Sequence, residues 1–202
     1  MIFREKYYAY ISLAIAVLSL LLFITGFEKR KTGTRRLLLI SVLTAAAVAG
    51  RFIFSPIPGV NPITAITVLA AVYMGGESGF LIGALSALIS NSFAGQGIWT
   101  PFQMFAWGMI GLTAGLLSRF LAGHKIRLCI FSFFAGILYS LIMDVWTVIW
   151  YNGAFAFAPY AAAVATALPF TAVYSASNIL FTLLLAKPFG EKLTRMKKKY
   201  GI

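Results

Sequence analysis

Gly75-Gly76-Glu77-Ser78-Gly79-Phe80-Leu81-Ile82-Gly83-Ala84-Leu85-Ser86-Ala87 places small side chains at 75, 79, 83 and 87, four apart, between two apolar runs. On a helix this spacing gathers them on one stripe and lets a second backbone approach closely, as packed membrane helices do. Gly111 and Gly115 repeat the pattern further along, and Ala45 and Ala49 repeat it in Thr44-Ala45-Ala46-Ala47-Val48-Ala49-Gly50. Such stripes serve packing within one molecule in most cases. The Ala45 and Ala49 pair has a second reading, an outward face for another membrane protein.

The rest of the chain agrees with a helical membrane protein. It has 202 residues, 60% of them hydrophobic, and five acidic side chains, too few polar residues to clothe a soluble surface. The net charge of +12 does not point to nucleic acid, because the basic residues fall in short loops and at the C-terminus and not on a face with stacking partners. The single cysteine, Cys129, excludes an internal disulfide framework and reads as a small apolar side chain.

Apolar runs at 7–26, 36–54, 63–75, 79–93, 101–121, 128–151 and 159–186 predict seven spans. The first follows Arg4 and Lys6 and ends in Glu28-Lys29-Arg30-Lys31 without an Ala-x-Ala-like cleavage site, so it reads as a retained helix. Gly76-Glu77-Ser78 reads as a tight turn. It separates two runs of about 13 to 15 residues, roughly 20 to 23 Å as helix, short enough to need shelter from neighbours. A bend is expected at Pro169, and a basic tail follows at 192–200. With the C-terminus inside, the basic loops 29–36 and 119–127, the Glu77 turn and the tail are inner. The uncharged loops 55–61, 94–100 and 152–158 are then outer, and Arg4 and Lys6 lie at an outer N-terminus.

Functional residues are sought where polarity interrupts this pattern. Residues 91–107 carry aromatic rings, amides, two glycines and a proline, a composition suited to a ligand mouth. If a helix begins near Pro101, then Trp99, Gln103 and Trp107 line one face, with Gln96 in the loop before it. Two rings and an amide could grip a flat, polar-edged molecule; the plainer reading is an interfacial aromatic belt. Arg51 and Asp144 are the ionisable residues at membrane depth, candidates for pairing with each other, for meeting a substrate, or for both. Thr147 and Tyr151 share the face of Asp144, with Trp150 close by, and Thr171, Tyr174 and Asn178 share a face of the last helix. Enzyme chemistry finds little footing. The one histidine, His124, sits in an inner loop away from Asp144, no set of three or four metal ligands is available, and no phosphate-binding glycine loop appears. A binder or carrier is the expectation.

Taken together, the Ala45-x-x-x-Ala49 helix, Phe54-Ser55-Pro56-Ile57-Pro58-Gly59-Val60-Asn61-Pro62-Ile63-Thr64, the Gly75–Ala84 hairpin and Trp99-Thr100-Pro101-Phe102-Gln103-Met104-Phe105-Ala106-Trp107-Gly108 resemble the S components of energy-coupling factor (ECF) vitamin transporters, over residues 36–186. The resemblance implies an all-α integral membrane protein: a six-helix substrate-binding domain at 36–187, preceded at 1–35 by an extra transmembrane helix and basic inner loop, and followed at 188–202 by a basic cytoplasmic tail. It implies a non-enzymatic subunit of the cell membrane that binds a vitamin from outside and topples while docked on a transmembrane coupling subunit. ATP is hydrolysed by two cytoplasmic partner subunits, and the chain has no cofactor of its own. The candidate substrate-binding set is Arg51, Asn61, Phe93, Gln96, Trp99, Gln103, Trp107, Asp144, Tyr151 and Tyr174, and by the resemblance Ala45 and Ala49 match the docking motif. The 99–104 and 144–146 segments look most like cobalamin-type members, while riboflavin suits nearly the same inventory. A reading from another class is a structural or regulatory membrane subunit without a small-molecule ligand.

Overall fold

The computed structural model describes residues 33–200, together with Ala14, Val17, Leu18 and Leu21. The expected first span at 7–26 otherwise lies outside the described residues, as do the Glu28–Lys31 run and the charged N-terminus. The described chain forms α1 (Thr34–Ile53), α2 (Ile63–Met74), α3 (Gly76–Ala94), α4 (Thr100–Leu116), the short α5 (Ser118–Leu121), α6 (Lys125–Asn152) and α7 (Phe157–Tyr200). Three of these, Thr34–Ile53, Lys125–Asn152 and Phe157–Lys199, are long and apolar enough to cross a membrane.

α2 is the axle of the bundle. Its sequence, ITAITVLAAVYM, has no polar face, and a helix that is apolar all round is stable only when surrounded. Ten of its 12 residues are buried, and it touches α1, α3, α4, α6 and α7. This is the shelter that its length of about 18 Å requires. Pro101 in the first turn of α4 fits a position whose N–H needs no helical partner. Gly153 ends α6 in the left-handed conformation, φ 71°.

The most extensive helix pair is α3 with α4, and its small residues explain why. A Cβ at Gly83 would lie 2.6 Å from the Trp107 carbonyl carbon, and one at Gly79 would lie 3.0 Å from the Gly111 Cα. One at Gly115 would fall on Gly76. The glycine stripes therefore pack within the molecule, backbone against backbone.

Three expectations are corrected. The turn before α3 is Gly75 alone, at φ 97°. Gly76, Glu77 and Ser78 belong to the first helical turn, where the carboxylate favours the positive end of the helix dipole. Arg36 secures this junction: its Nη2 lies 3.6 Å from the Glu77 carboxylate and its Nε donates to Ser78 Oγ at 2.9 Å. Second, the span foreseen at 101–121 breaks at Leu117, giving α4 and α5. Third, the basic tail is no separate segment, because α7 runs without interruption through Pro169 and Pro188 to its end.

Charge is sorted along the bundle axis. The Arg36–Glu77 contact, the Gly115–Gly76 approach and the Tyr73 hydroxyl beside Gly190 bring the start of α1, the α2–α3 junction, the end of α4 and the last third of α7 to one end. All charged side chains of the described residues lie there, except Arg51 and Asp144.

Candidate functional site

The opposite half of the bundle holds a buried polar cluster to which α1, α2, α3, α4, α6 and α7 all contribute. Its first member is Arg51, half-buried in the last turn of α1. Its Nη1 donates to Ser90 Oγ and, at 3.0 Å, to Asn91 Oδ1 on α3, and its guanidinium carbon lies 5.4 Å from the centre of the Trp107 ring, a cation–π geometry. Asn91 passes the connection to α4, its Nδ2 donating to Thr100 Oγ1 at 2.9 Å and to Gln103 Oε1 at 2.8 Å. Gln103 Nε2 in turn donates to the Tyr139 hydroxyl on α6 at 2.9 Å.

The aromatic half is equally engaged. Trp107 stacks on Tyr139 with ring centres 4.9 Å apart, and Tyr139 lies 5.0 Å from Tyr174. The Trp107 indole N–H donates to the Tyr174 oxygen at 2.8 Å, and that hydroxyl sits 2.6 Å from Thr64 Oγ1 on α2. Trp107, Tyr174, Thr64 and Asn91 are each at most 1% exposed. Buried groups of this polarity are stable only when partnered, and here each has found one.

Two groups keep unused capacity. Arg51 makes both its hydrogen bonds through Nη1, so its Nε and Nη2 donors have no partner among the described residues. Asp144, 8% exposed on α6, accepts no hydrogen bond from the described residues and forms no ion pair with Arg51. The pairing considered for these two residues does not occur. A cation held above a ring with two donor nitrogens to spare, in one bundle half with an unpartnered carboxylate, can grip a planar ligand with carbonyl and hydroxyl groups.

Of the residues expected to bind substrate, Arg51, Gln103, Trp107 and Tyr174 converge in this cluster. Trp99 packs edge-on to Trp146 at 6.0 Å, at the margin, and Trp146 stacks on Trp150. Of the expected 99–103–107 face, Gln103 and Trp107 share the cluster side of α4, while Trp99, just ahead of the helix, turns to another neighbour. Asn61 serves the backbone, its Oδ1 accepting from the Ile63 N–H at 3.2 Å while its own N–H donates to Ser177. Gln96 is exposed and ties the α3–α4 loop together through Leu88, Ser92 and Thr100. Tyr151 and Phe93 are 79% and 78% exposed, outside the cluster, and Phe93 packs edge-on to Phe52. Ser90, Thr64 and Tyr139 complete the cluster without having been singled out, together with Asn91, the first residue of the 91–107 stretch. The signal was present for Tyr139: it lies five residues before Asp144 and next to Ser140, in a helix otherwise mostly apolar.

Tyr174 is the best test of how far the cluster supports the fold. Tyr174→Phe leaves the Trp107 N–H and Thr64 hydroxyl buried without their partner, which is expected to cost about 1–3 kcal/mol and to lower the apparent melting temperature in detergent. Tyr151→Phe, on an exposed side chain, leaves it unchanged.

On α1, Ala45 and Ala49 are exposed and floor an apolar groove of about 640 Å³, lined also by Ser41, Thr44, Val48, Phe52, Leu85, Ile89 and Phe93. The groove runs between α1 and α3, on the outside of the bundle.

Residues 31–194 match the family described as ECF-type riboflavin transporter, S component. No curated protein and no solved structure matches the chain.

Proposed function

Since the chain belongs to the S-component family of ECF-type riboflavin transporters, we propose that this multi-pass membrane protein captures riboflavin at the uncharged end of its bundle and delivers it through a partnered energising module. The observation that carries the reading is the placement of Arg51 above Trp107 with Nε and Nη2 unpartnered. An isoalloxazine ring offers a flat face to stack and carbonyl oxygens to accept from a guanidinium; the ribityl hydroxyls suit the unpartnered Asp144 carboxylate. Cobalamin, favoured by the 99–104 and 144–146 segments, finds no support in the family match.

Orientation follows from charge. The end that carries the basic loops and the C-terminal part of α7 faces the cytoplasm, and the uncharged loops after α1, α3 and α6 face outside, where the vitamin arrives. Ala45 and Ala49 are the docking positions for the transmembrane coupling subunit. Their small side chains on an exposed apolar groove allow a partner helix to come close.

Identification of the small molecule that co-purifies with the detergent-solubilised protein, by absorbance and mass spectrometry, tests the substrate. A flavin spectrum is expected, with Arg51→Met weakening binding at least about tenfold through loss of charge-assisted hydrogen bonds. A corrinoid spectrum keeps the family and overturns the ligand. Empty protein, with no thermal shift against a panel of vitamins, favours a structural subunit and overturns the carrier reading.

A further inference from the structure

At the charged end, a cavity of about 720 Å³ opens between α2, the start of α6 and the last third of α7. Lys125, Lys187, Arg195 and Lys198 line it against a single carboxylate, Glu191, with the Tyr73 side chain contributing to the wall. None of the four cations makes a hydrogen bond or ion pair with a described residue, and four cations against the one carboxylate leave the lining at +3. Such a cavity calls for an anion.

A second cavity says which anion. An apolar groove of about 440 Å³ runs along the α6–α7 surface, formed by Ile126, Ile130, Phe133, Phe134, Ile179 and Leu183, and Lys125 belongs to both cavities. On α7, Ile179, Leu183 and Lys187 are four residues apart, so one helical stripe leads from the groove into the basic cavity. A free phosphate would fill the head of this arrangement and leave the groove without purpose. A phospholipid fills both.

We propose that the basic cavity and the α6–α7 groove form one site for an anionic phospholipid of the leaflet at the charged end, its phosphate held by Lys125, Lys187, Arg195 and Lys198 and an acyl chain lying along the groove. Basic pockets between transmembrane helices select headgroups in this way, each nearby cation adding roughly fivefold in affinity. The site stands apart from the vitamin cluster and does not depend on which vitamin is bound.

The test uses detergent-purified full-length protein, with lipid adducts counted by native mass spectrometry in equimolar phosphatidylglycerol and phosphatidylcholine, and inorganic phosphate as competitor. Phosphatidylglycerol is expected to be preferred by at least about tenfold. The triple variant Lys187→Gln, Arg195→Gln, Lys198→Gln loses that preference. A control triple, Arg119→Gln, Lys192→Gln, Lys197→Gln, removes the same charge outside the cavity and keeps it. Leu183→Trp, which fills the groove without touching the cations, weakens phosphatidylglycerol binding. Equal binding of the two lipids, equal behaviour of the two triples, or displacement by equimolar phosphate with Leu183→Trp neutral would each overturn the proposal.

Discussion

Ala49→Trp is expected to reduce uptake to background in cells or proteoliposomes that contain the energising subunits, while riboflavin affinity of the isolated protein stays within about twofold, the scatter expected of a surface change. The argument is steric and local. Ala49 is exposed, lines the groove between α1 and α3, and supports nothing inside the bundle, so the ring adds bulk only outward. Association of helices within a bilayer depends on close backbone approach and on van der Waals contact, since lipid already satisfies apolar surface. An indole in that groove holds a partner helix away along its length. Ala45→Trp behaves alike, whereas Leu184→Trp, at an exposed apolar position of α7 outside the groove, leaves uptake intact. Loss of riboflavin binding in Ala49→Trp would count against separate docking and binding faces.

The largest effect on the fold is expected from Gly111→Leu. A Cβ at this position falls on the Gly79 backbone, with the Phe80 nitrogen 2.8 Å away. Backbone cannot swing aside as a side-chain tip does, so α3 and α4 must separate. Overpacking typically costs about 1–3 kcal/mol. Here the separation also stretches the bonds by which Asn91 on α3 reaches Thr100 and Gln103 on α4. Gly111→Leu should therefore yield no monodisperse peak in size-exclusion chromatography. Gly33→Ala, where a Cβ meets nothing within 4 Å, runs as the parent protein does; a monodisperse Gly111→Leu would mean that the α3–α4 seam is looser than the structure has it.

What could be read in the sequence was what repeats along one helix. The glycine stripe, the burial of α2 and the shared side of Gln103 and Trp107 all follow from helical periodicity, which depends only on spacing. Contacts between helices depend on their relative rotation and depth, which spacing does not encode. For that reason spacing does not distinguish Thr64 and Tyr139 from ordinary polar residues of a bundle, and the pairing of Arg51 with Asn91 in place of Asp144 appears only in three dimensions. Junctions were misread where one residue did the work assigned to three. Gly75 makes the α2–α3 reversal by itself, and Glu77 and Ser78, which look like turn residues, are held in the helix by Arg36. Asn61 accepts from the Ile63 N–H at the start of α2, a contact available to any asparagine two residues before a helix and not legible from spacing.

The sorting of charge along the bundle has a thermodynamic consequence for transport. If the proposed delivery tilts the bundle in the membrane, one of its ends must enter hydrocarbon, where each lysine or arginine at the centre costs about 2.5–3.5 kcal/mol. The last third of α7 alone carries Lys187, Lys192, Arg195, Lys197, Lys198 and Lys199; immersing that end would cost more than the whole fold is worth. Among the described residues, the other end has no charged group in its loops, and its one cation, Arg51, is bonded within the bundle. Charge thus makes the described bundle an asymmetric float: on the proposed function, the pole of the Arg51 cluster is the one that can be submerged, and the basic pole stays pinned in water.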